Sequence, residues 1–273
     1  MYQSYWQLDN RPFEHASDAR FVFAADSQRG ALLKLRYVLE NRRGAALLAG
    51  ESGLGKTLLV QTLLSELPSV FLPRVHLVFP QLPTDQLLTY LGDQLTGQQS
   101  PLTATIEQSV RRIERALQGD AQAGKHAIIA IDEAHLLRDH QTLEALRLLM
   151  NFEHNGQPLA TFLFAGQTAL VLAVRRLPAL DDRVAVTCIL SRLSQDETSR
   201  YIEHRLTAAG AKRTIFEPSA VETIYGLTHG IPRQINRLCD LALLVGYGET
   251  LWTLTASHIE SIHAELIGAA AAA

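Results

Sequence analysis

Up to about residue 190, short apolar runs alternate with amphipathic stretches. The runs are "AALLAG" (45–50), "RVHLVF" (74–79), "HAIIAID" (126–132), "ATFLFAG" (160–166) and "RVAVTCI" (183–189). Each is continuous, rich in branched residues and too short for an ordinary helix, which predicts strands buried on both faces of a parallel sheet. Between them, "GKTLLVQTLLSEL" (55–67) and "DHQTLEALRLLMNFE" (139–153) carry helical periodicity. Strand–helix alternation of this kind predicts an α/β layer structure, a five-stranded parallel sheet flanked by helices.

Beyond residue 190 the strand pattern stops. "SQDETSRYIEHRLTAAG" (194–210) opens on a capping serine and closes on glycine, both helix-boundary signals. Further helical stretches follow at 217–230, 231–246 and 255–268. The expected organisation is an N-terminal arm and first helix (1–43), an α/β core (44–190), a small all-α unit (191–268) and a disordered alanine tail (269–273). No internal repeat is visible.

Composition narrows the function classes. The chain has 273 residues, 47% of them apolar, and a net charge of −3. A protein gripping nucleic acid by charge alone would be more basic, so any such face must be local. Its candidates are the basic residues of "LRYVLENRR" (35–43) and "SVRRIER" (109–115), the second of which reads equally as a solvated helix face. Cys188 and Cys239 stand apart in apolar contexts and provide no disulfide or metal framework. No apolar run approaches the ~18 residues of a membrane helix, and "MYQSYWQLDNRPFEH" has no signal-peptide pattern. The expectation is a soluble, cytoplasmic protein with no membrane span of its own.

Candidate chemistry lies at two strand ends. "GESGLGKT" matches G-x-x-x-x-G-K-[ST] between a predicted strand and a predicted helix. Glycines in such a loop let backbone amides turn toward a phosphate, and the following helix offers its N-terminal N–H groups and positive dipole end. Lys56 reaches the β- and γ-phosphates, and the Thr57 hydroxyl suits Mg²⁺. The expected nucleotide contacts run through Gly50, Glu51, Ser52, Gly53, Leu54, Gly55, Lys56, Thr57 and Leu58. A glycine-rich turn with a chance lysine is the bland alternative, and the flanking elements argue against it.

The second strand end is "AIIAIDEAHLL" (127–137). Asp132 is placed to hold the metal, and Glu133 to polarise an attacking water as general base. An acidic pair starting a helix would look similar by itself; a phosphate loop upstream makes the catalytic reading the better one. The letters D-E-A-H also spell a helicase box. Such helicases need two motor domains, and this chain has one phosphate loop, so His135 reads as a loop or helix-start residue near the site.

Taken in order, "YWQLDNRPFEHASDARFVF", "LLAGESGLGKT", "IDEAHLL", "LFAGQTAL", "SRLSQDETSRYIEHRLTAAG" and "GIPRQINRLCDLAL" resemble the AAA+ ATPases of the ExeA/GspA (general secretion) type, similar in turn to the transposition ATPases TniB and TnsC. The resemblance spans residues 1 to about 248 and implies a P-loop NTPase core followed by an α-helical lid, with ATP and Mg²⁺ as cofactors. It implies that Gln167 is a sensor between Asp132 and the γ-phosphate, with a helix-capping role, shared with Thr168, as the alternative. It makes Arg233 a lid sensor reaching the phosphates, and leaves Arg237 a surface or salt-bridge residue. It implies an arginine supplied by a neighbouring subunit: Arg183, with Arg175 and Arg176 in reserve. The active form is then a homo-oligomer, a ring or filament. Pro12 and Phe13 are candidates for packing on adenine, or else anchor an extended arm.

Two functions follow from the resemblance. The first is an ATPase driving assembly or remodelling of a secretion or envelope machinery, recruited to the inner membrane by a partner protein. Secretion members commonly continue into a membrane-spanning and a peptidoglycan-binding segment, for which this sequence has no counterpart. The second is an ATP-gated DNA-binding regulator of transposition type, with slow hydrolysis as a reset.

Overall fold

The computed structural model describes residues 1–14, 19–21, 23, 25–101, 104–137 and 139–271. In chain order, helix α1 is Tyr2–Trp6, α2 Asp26–Glu40, strand β1 Ala45–Ala49, α3 Lys56–Glu66 and β2 Arg74–Leu77. Next come α4 Thr84–Thr96, α5 Ile106–Gln122, β3 Ala127–Ile131 and α6 His140–Leu149. A hairpin of β4 (Glu153–His154) and β5 (Gln157–Pro158) precedes β6 Ala160–Gly166, α7 Ala169–Arg175, α8 Pro178–Asp181 and β7 Val184–Ile189. The remaining helices are α9 Gln195–Ala208, α10 Pro218–Thr228, α11 Pro232–Gly248 and α12 Ala256–Ala271. Two compact units result, one comprising 27–52 and 56–190, the other 1–26, 53–55 and 191–273.

In the first unit the five predicted strands form one parallel sheet in the order β2-β3-β6-β1-β7. Every residue of β1, β3 and β6 is buried, as continuous apolar runs require. Burial on both faces does not extend to the edges: β7 leaves Ala185, Thr187 and Ile189 exposed, and β2 buries only Val75 and Leu77. An edge strand lacks a neighbour on one side, so fewer of its side chains are covered. Register sets the functional edge. Ala49 pairs with Gly166, Ile131 with Phe164 and Leu77 with Ile131, so the chain leaves β1, β3 and β6 at one carboxyl edge. In open α/β sheets that edge is where ligands bind.

The hairpin was not visible in the sequence, since strands of two residues have no periodicity to detect. α6 stops at Leu149, short of the predicted 153, because the chain turns there into that hairpin.

The second unit is helical. α9 begins as expected: Ser194 Oγ accepts from Glu197 N–H (3.1 Å), and the Glu197 carboxylate accepts from Ser194 N–H (2.9 Å). The N-terminal arm divides. Residues 1–26 belong to this helical unit, and the rest of α2 to the sheet unit. Trp6 is fully buried, its indole N–H donating to Leu243 O at 2.8 Å. Arg205 is buried and its guanidinium donates to the carbonyls of Pro12, Glu14 and Phe21. One cation thereby satisfies three backbone carbonyls, which buried backbone needs. The alanine tail expected to be disordered from residue 269 instead continues α12 to Ala271, alanine being the strongest helix former; residues 272 and 273 lie outside the described residues.

Candidate active site

The phosphate loop leaves β1 at Ala49, and Gly50 N–H donates to Gly166 O at 3.2 Å, tying the loop to the end of β6. Gly53 has φ +86°, a conformation in which a side chain is strained. A Cβ at Gly53 would also meet Arg233 Cβ at 2.9 Å, and the Gly53 carbonyl accepts from Arg233 N–H at 3.2 Å. Leu54 is buried and anchors the loop, while Glu51 and Ser52 are exposed. α3 starts at Lys56, so its first amides face the loop. Lys56 is 6% exposed; its ammonium donates to Gly50 O (3.0 Å) and Glu51 O (2.8 Å), arched over its own loop.

Asp132 follows β3 and is buried. Its Oδ1 accepts from Glu133 N–H at 2.8 Å, and the Thr57 hydroxyl lies beside its carboxylate. His76 Nε2 stands 3.8 Å from Oδ2, too far for a hydrogen bond, and has no hydrogen-bond partner among the described residues. Burial pushes the Asp132 carboxyl upward; His76, Thr57 and the Glu133 amide outweigh burial and hold it below its ordinary value. Asp132 is therefore an anion beside a hydroxyl. Two hard oxygens, one charged, are the donor set that Mg²⁺ takes from protein when phosphates and water complete its shell.

Glu133 has φ 48° and a side chain 45% exposed, with Oε2 3.3 Å from His135 Nδ1. Gln167, the first residue after β6, donates its backbone N–H to the same Nδ1 at 3.3 Å. Lys56, Thr57, Asp132, Glu133 and Gln167 thus all lie at the carboxyl edge of the sheet, with His135 between the last two. Two residues that sequence reasoning left out belong with them. Gly166 lets the His135 turn pass closely: a Cβ there would fall 2.9 Å from His135 N. His76 was a polar residue inside an apolar strand, and that interruption was the signal.

Other candidates lie elsewhere. Arg183 precedes β7, its carbonyl accepting from Ala45 N–H (2.9 Å) at the start of β1. That is the opposite end of the sheet, about 16 Å of strand from the loop. Its guanidinium donates to Met150 O (3.3 Å) and to the Asn151 side chain. Arg175 and Arg176 are exposed at the end of α7. Phe13 is 3% exposed and packs edge-on against Phe216 in the helical core, the anchoring alternative for this segment, and Pro12 is buried beside it. Arg237 is exposed on α11; Arg233, exposed on the same helix, is the exception, its backbone meeting the loop at Gly53.

Comparison with known proteins bears on the family and the fold. A family model described as an AAA domain matches residues 39–174. General secretion pathway protein A of Aeromonas hydrophila is 32% identical over 252 residues, 90% of this chain; the chain spans only 45% of that relative. Among solved structures, the ORC2 protein of Aeropyrum pernix, in ADPNP–ADP complexes, superposes with a TM-score of 0.72 at 16% identity, covering 94% of this chain and 72% of that one. Drosophila ORC bound to DNA gives a TM-score of 0.72 at 18% identity, over 94% of this chain and 65% of the other. At such identities the solved structures establish the fold alone. Sequence likeness and fold together show that the chain belongs to the AAA ATPases, of the type of General secretion pathway protein A.

Proposed function

We propose that this chain binds ATP with Mg²⁺ and hydrolyses it. The observation that carries the reading is that Lys56 and Thr57, at the start of α3, and Asp132 and Glu133, after β3, lie together at one carboxyl edge of the sheet. The loop amides and the N-terminus of α3 receive the phosphates, and Lys56 exchanges its carbonyl partners for phosphate oxygens. Thr57 and Asp132 would hold Mg²⁺, which when bound neutralises charge on the β- and γ-phosphates. Glu133, half exposed beside that pair, accepts the proton of the attacking water. Gln167, directly after β6, adds a polar contact to the phosphates. K56A and E133Q should each abolish phosphate release, and wild-type turnover in both would sink the reading.

Arg183 sits too far from its own loop to act there, which supports the reading that it serves a neighbouring copy in a homo-oligomer. Mixing K56A with R183A, each inactive alone, should then restore part of the activity. No recovery at any ratio would remove Arg183 from the site.

The relative's name supports a secretion or envelope role, with a partner protein that the ATPase assembles or remodels. Among the described residues no helix is long and apolar enough to cross a membrane. The DNA-regulator reading is less favoured. Arg111 pairs with Glu107, Arg112 is held by Asp93 and Ser100, and Arg36 pairs with Glu66. Sizing with and without a non-hydrolysable ATP analogue, repeated with DNA, separates the two. Assembly on nucleotide alone supports the first, and salt-sensitive DNA dependence the second.

A further inference from the structure

His135 occupies a position that the hydrolytic reading does not use. It lies in the 3-10 turn Ala134–Leu136, its side chain 13% exposed, between two residues of the proposed site. Its Nδ1 is 3.3 Å from a carboxylate oxygen of Glu133 and 3.3 Å from the backbone nitrogen of Gln167. The first neighbour only accepts hydrogen bonds and the second only donates. A single ring nitrogen carries either a lone pair or a proton, so it serves one neighbour at a time.

The surrounding backbone holds this arrangement in place. Glu133 O accepts from Leu136 N–H at 2.8 Å, closing the turn that carries His135. Gly166 has no side chain where a Cβ would come 3.3 Å from Nδ1 and 2.9 Å from His135 N. Sequence thus leaves a gap at Gly166 that the imidazole turn fills.

We infer that His135 is a positioning residue for Glu133, exchanging Nδ1 between the Gln167 amide and the Glu133 carboxylate. This rests on the hydrolytic reading above. When Nδ1 accepts from Gln167, the Glu133 oxygen is left free to take a proton from water. When Nδ1–H donates to Glu133, that oxygen is engaged and the base is withheld. Gln167 follows β6 directly, so a shift of its amide on nucleotide binding selects the state of Glu133 through His135. The histidine thereby couples occupancy of the phosphate site to readiness of the base.

The test is steady-state ATP hydrolysis by the full chain as wild type, H135F, H135N and H135Q, with affinity for a fluorescent ATP analogue measured in parallel. H135F should lose about tenfold or more in kcat, the scale of a displaced general base. KM and analogue affinity should stay within about twofold, since the effect falls on turnover and not on binding. H135N keeps an amide near the position of Nδ1 and should recover most of kcat; H135Q reaches instead toward Nε2 and should not. If H135F fails to fold, the Asn–Gln contrast carries the same test. Equal kcat in all variants, equal rescue by Asn and Gln, or a change confined to KM overturns the role for His135. Failure of the hydrolytic reading has a different signature, an inactive wild type or an E133Q protein with full turnover.

Discussion

The hydroxyl of Thr57, in the first turn of α3, lies beside the carboxylate of Asp132 at the end of β3 and helps to hold that carboxyl below its ordinary value. Seventy-five positions separate the two residues in the chain, and parallel pairing of β1, β6 and β3 brings them together. Their proximity brings both oxygens together before any ligand arrives, which is how a site limits the reorganisation that turnover requires.

D132N and T57A should therefore each lower the rate of phosphate release by about a hundredfold, the scale on which a positioned charge or metal ligand acts. Nucleotide binding measured in excess EDTA should change little by comparison. A D132N protein that retained more than about a tenth of the wild-type rate would contradict this.

Gly166 is the close-approach point of the site. G166A places a methyl 2.9 Å from His135 N and 3.2 Å from Leu170 Cδ2. Overpacking of this kind costs about 1–3 kcal/mol, and it displaces the His135 turn as well. Urea unfolding should show the loss of stability, and phosphate release should fall with it. Unchanged values in both would mean that the turn yields freely.

His126 gives a pH signature in the sheet unit. It is 1% exposed, with Nε2 2.9 Å from Thr161 Oγ1. Burial and then the charge of Arg42 push its pKa down to about 4, against a weaker opposing hydrogen bond to Pro158. The folded protein therefore holds it neutral while the unfolded chain takes up a proton below about pH 6.5. Stability should be full above pH 6.5 and fall steadily toward pH 4, by up to about 3 kcal/mol from this group. Urea midpoints at pH 7.5 and 5 should converge in H126Q relative to wild type, and identical pH slopes would refute the assignment.

Arg205 fastens Pro12, Glu14 and Phe21 to the helical unit through their carbonyls. R205M keeps the stem but orphans those acceptors, which should cost about 2–4 kcal/mol. Limited proteolysis should cut the first twenty-odd residues sooner in R205M. An arm equally protected in both proteins would show that the aromatic contacts of Trp6 and Phe13 suffice.

Much of the fold was legible because its signals are local. A strand buried on both faces must be apolar throughout, so β1, β3 and β6 announced themselves as uninterrupted runs. Ser194 and Glu197 marked the start of α9 because a capping box lies within four residues. The edge strands read less well: Val78 and Phe79 extended the apparent β2 although both are exposed beyond its end. Residues 1–26 looked like one arm with α2, since nothing local records which unit Trp6 will enter.

By itself the sequence determined which chemistry is available. Eight consecutive residues specify a phosphate loop, and an apolar run ending in Asp132 and Glu133 specifies two carboxylates at a strand end, because both requirements are met within one turn or one strand. Only the tertiary structure decided how these groups meet. Strand order is set by long-range pairing, which has no local signature. From that order come the Thr57–Asp132 contact, the placement of Arg183 at the far end of the sheet, and the single histidine nitrogen held between Glu133 and Gln167.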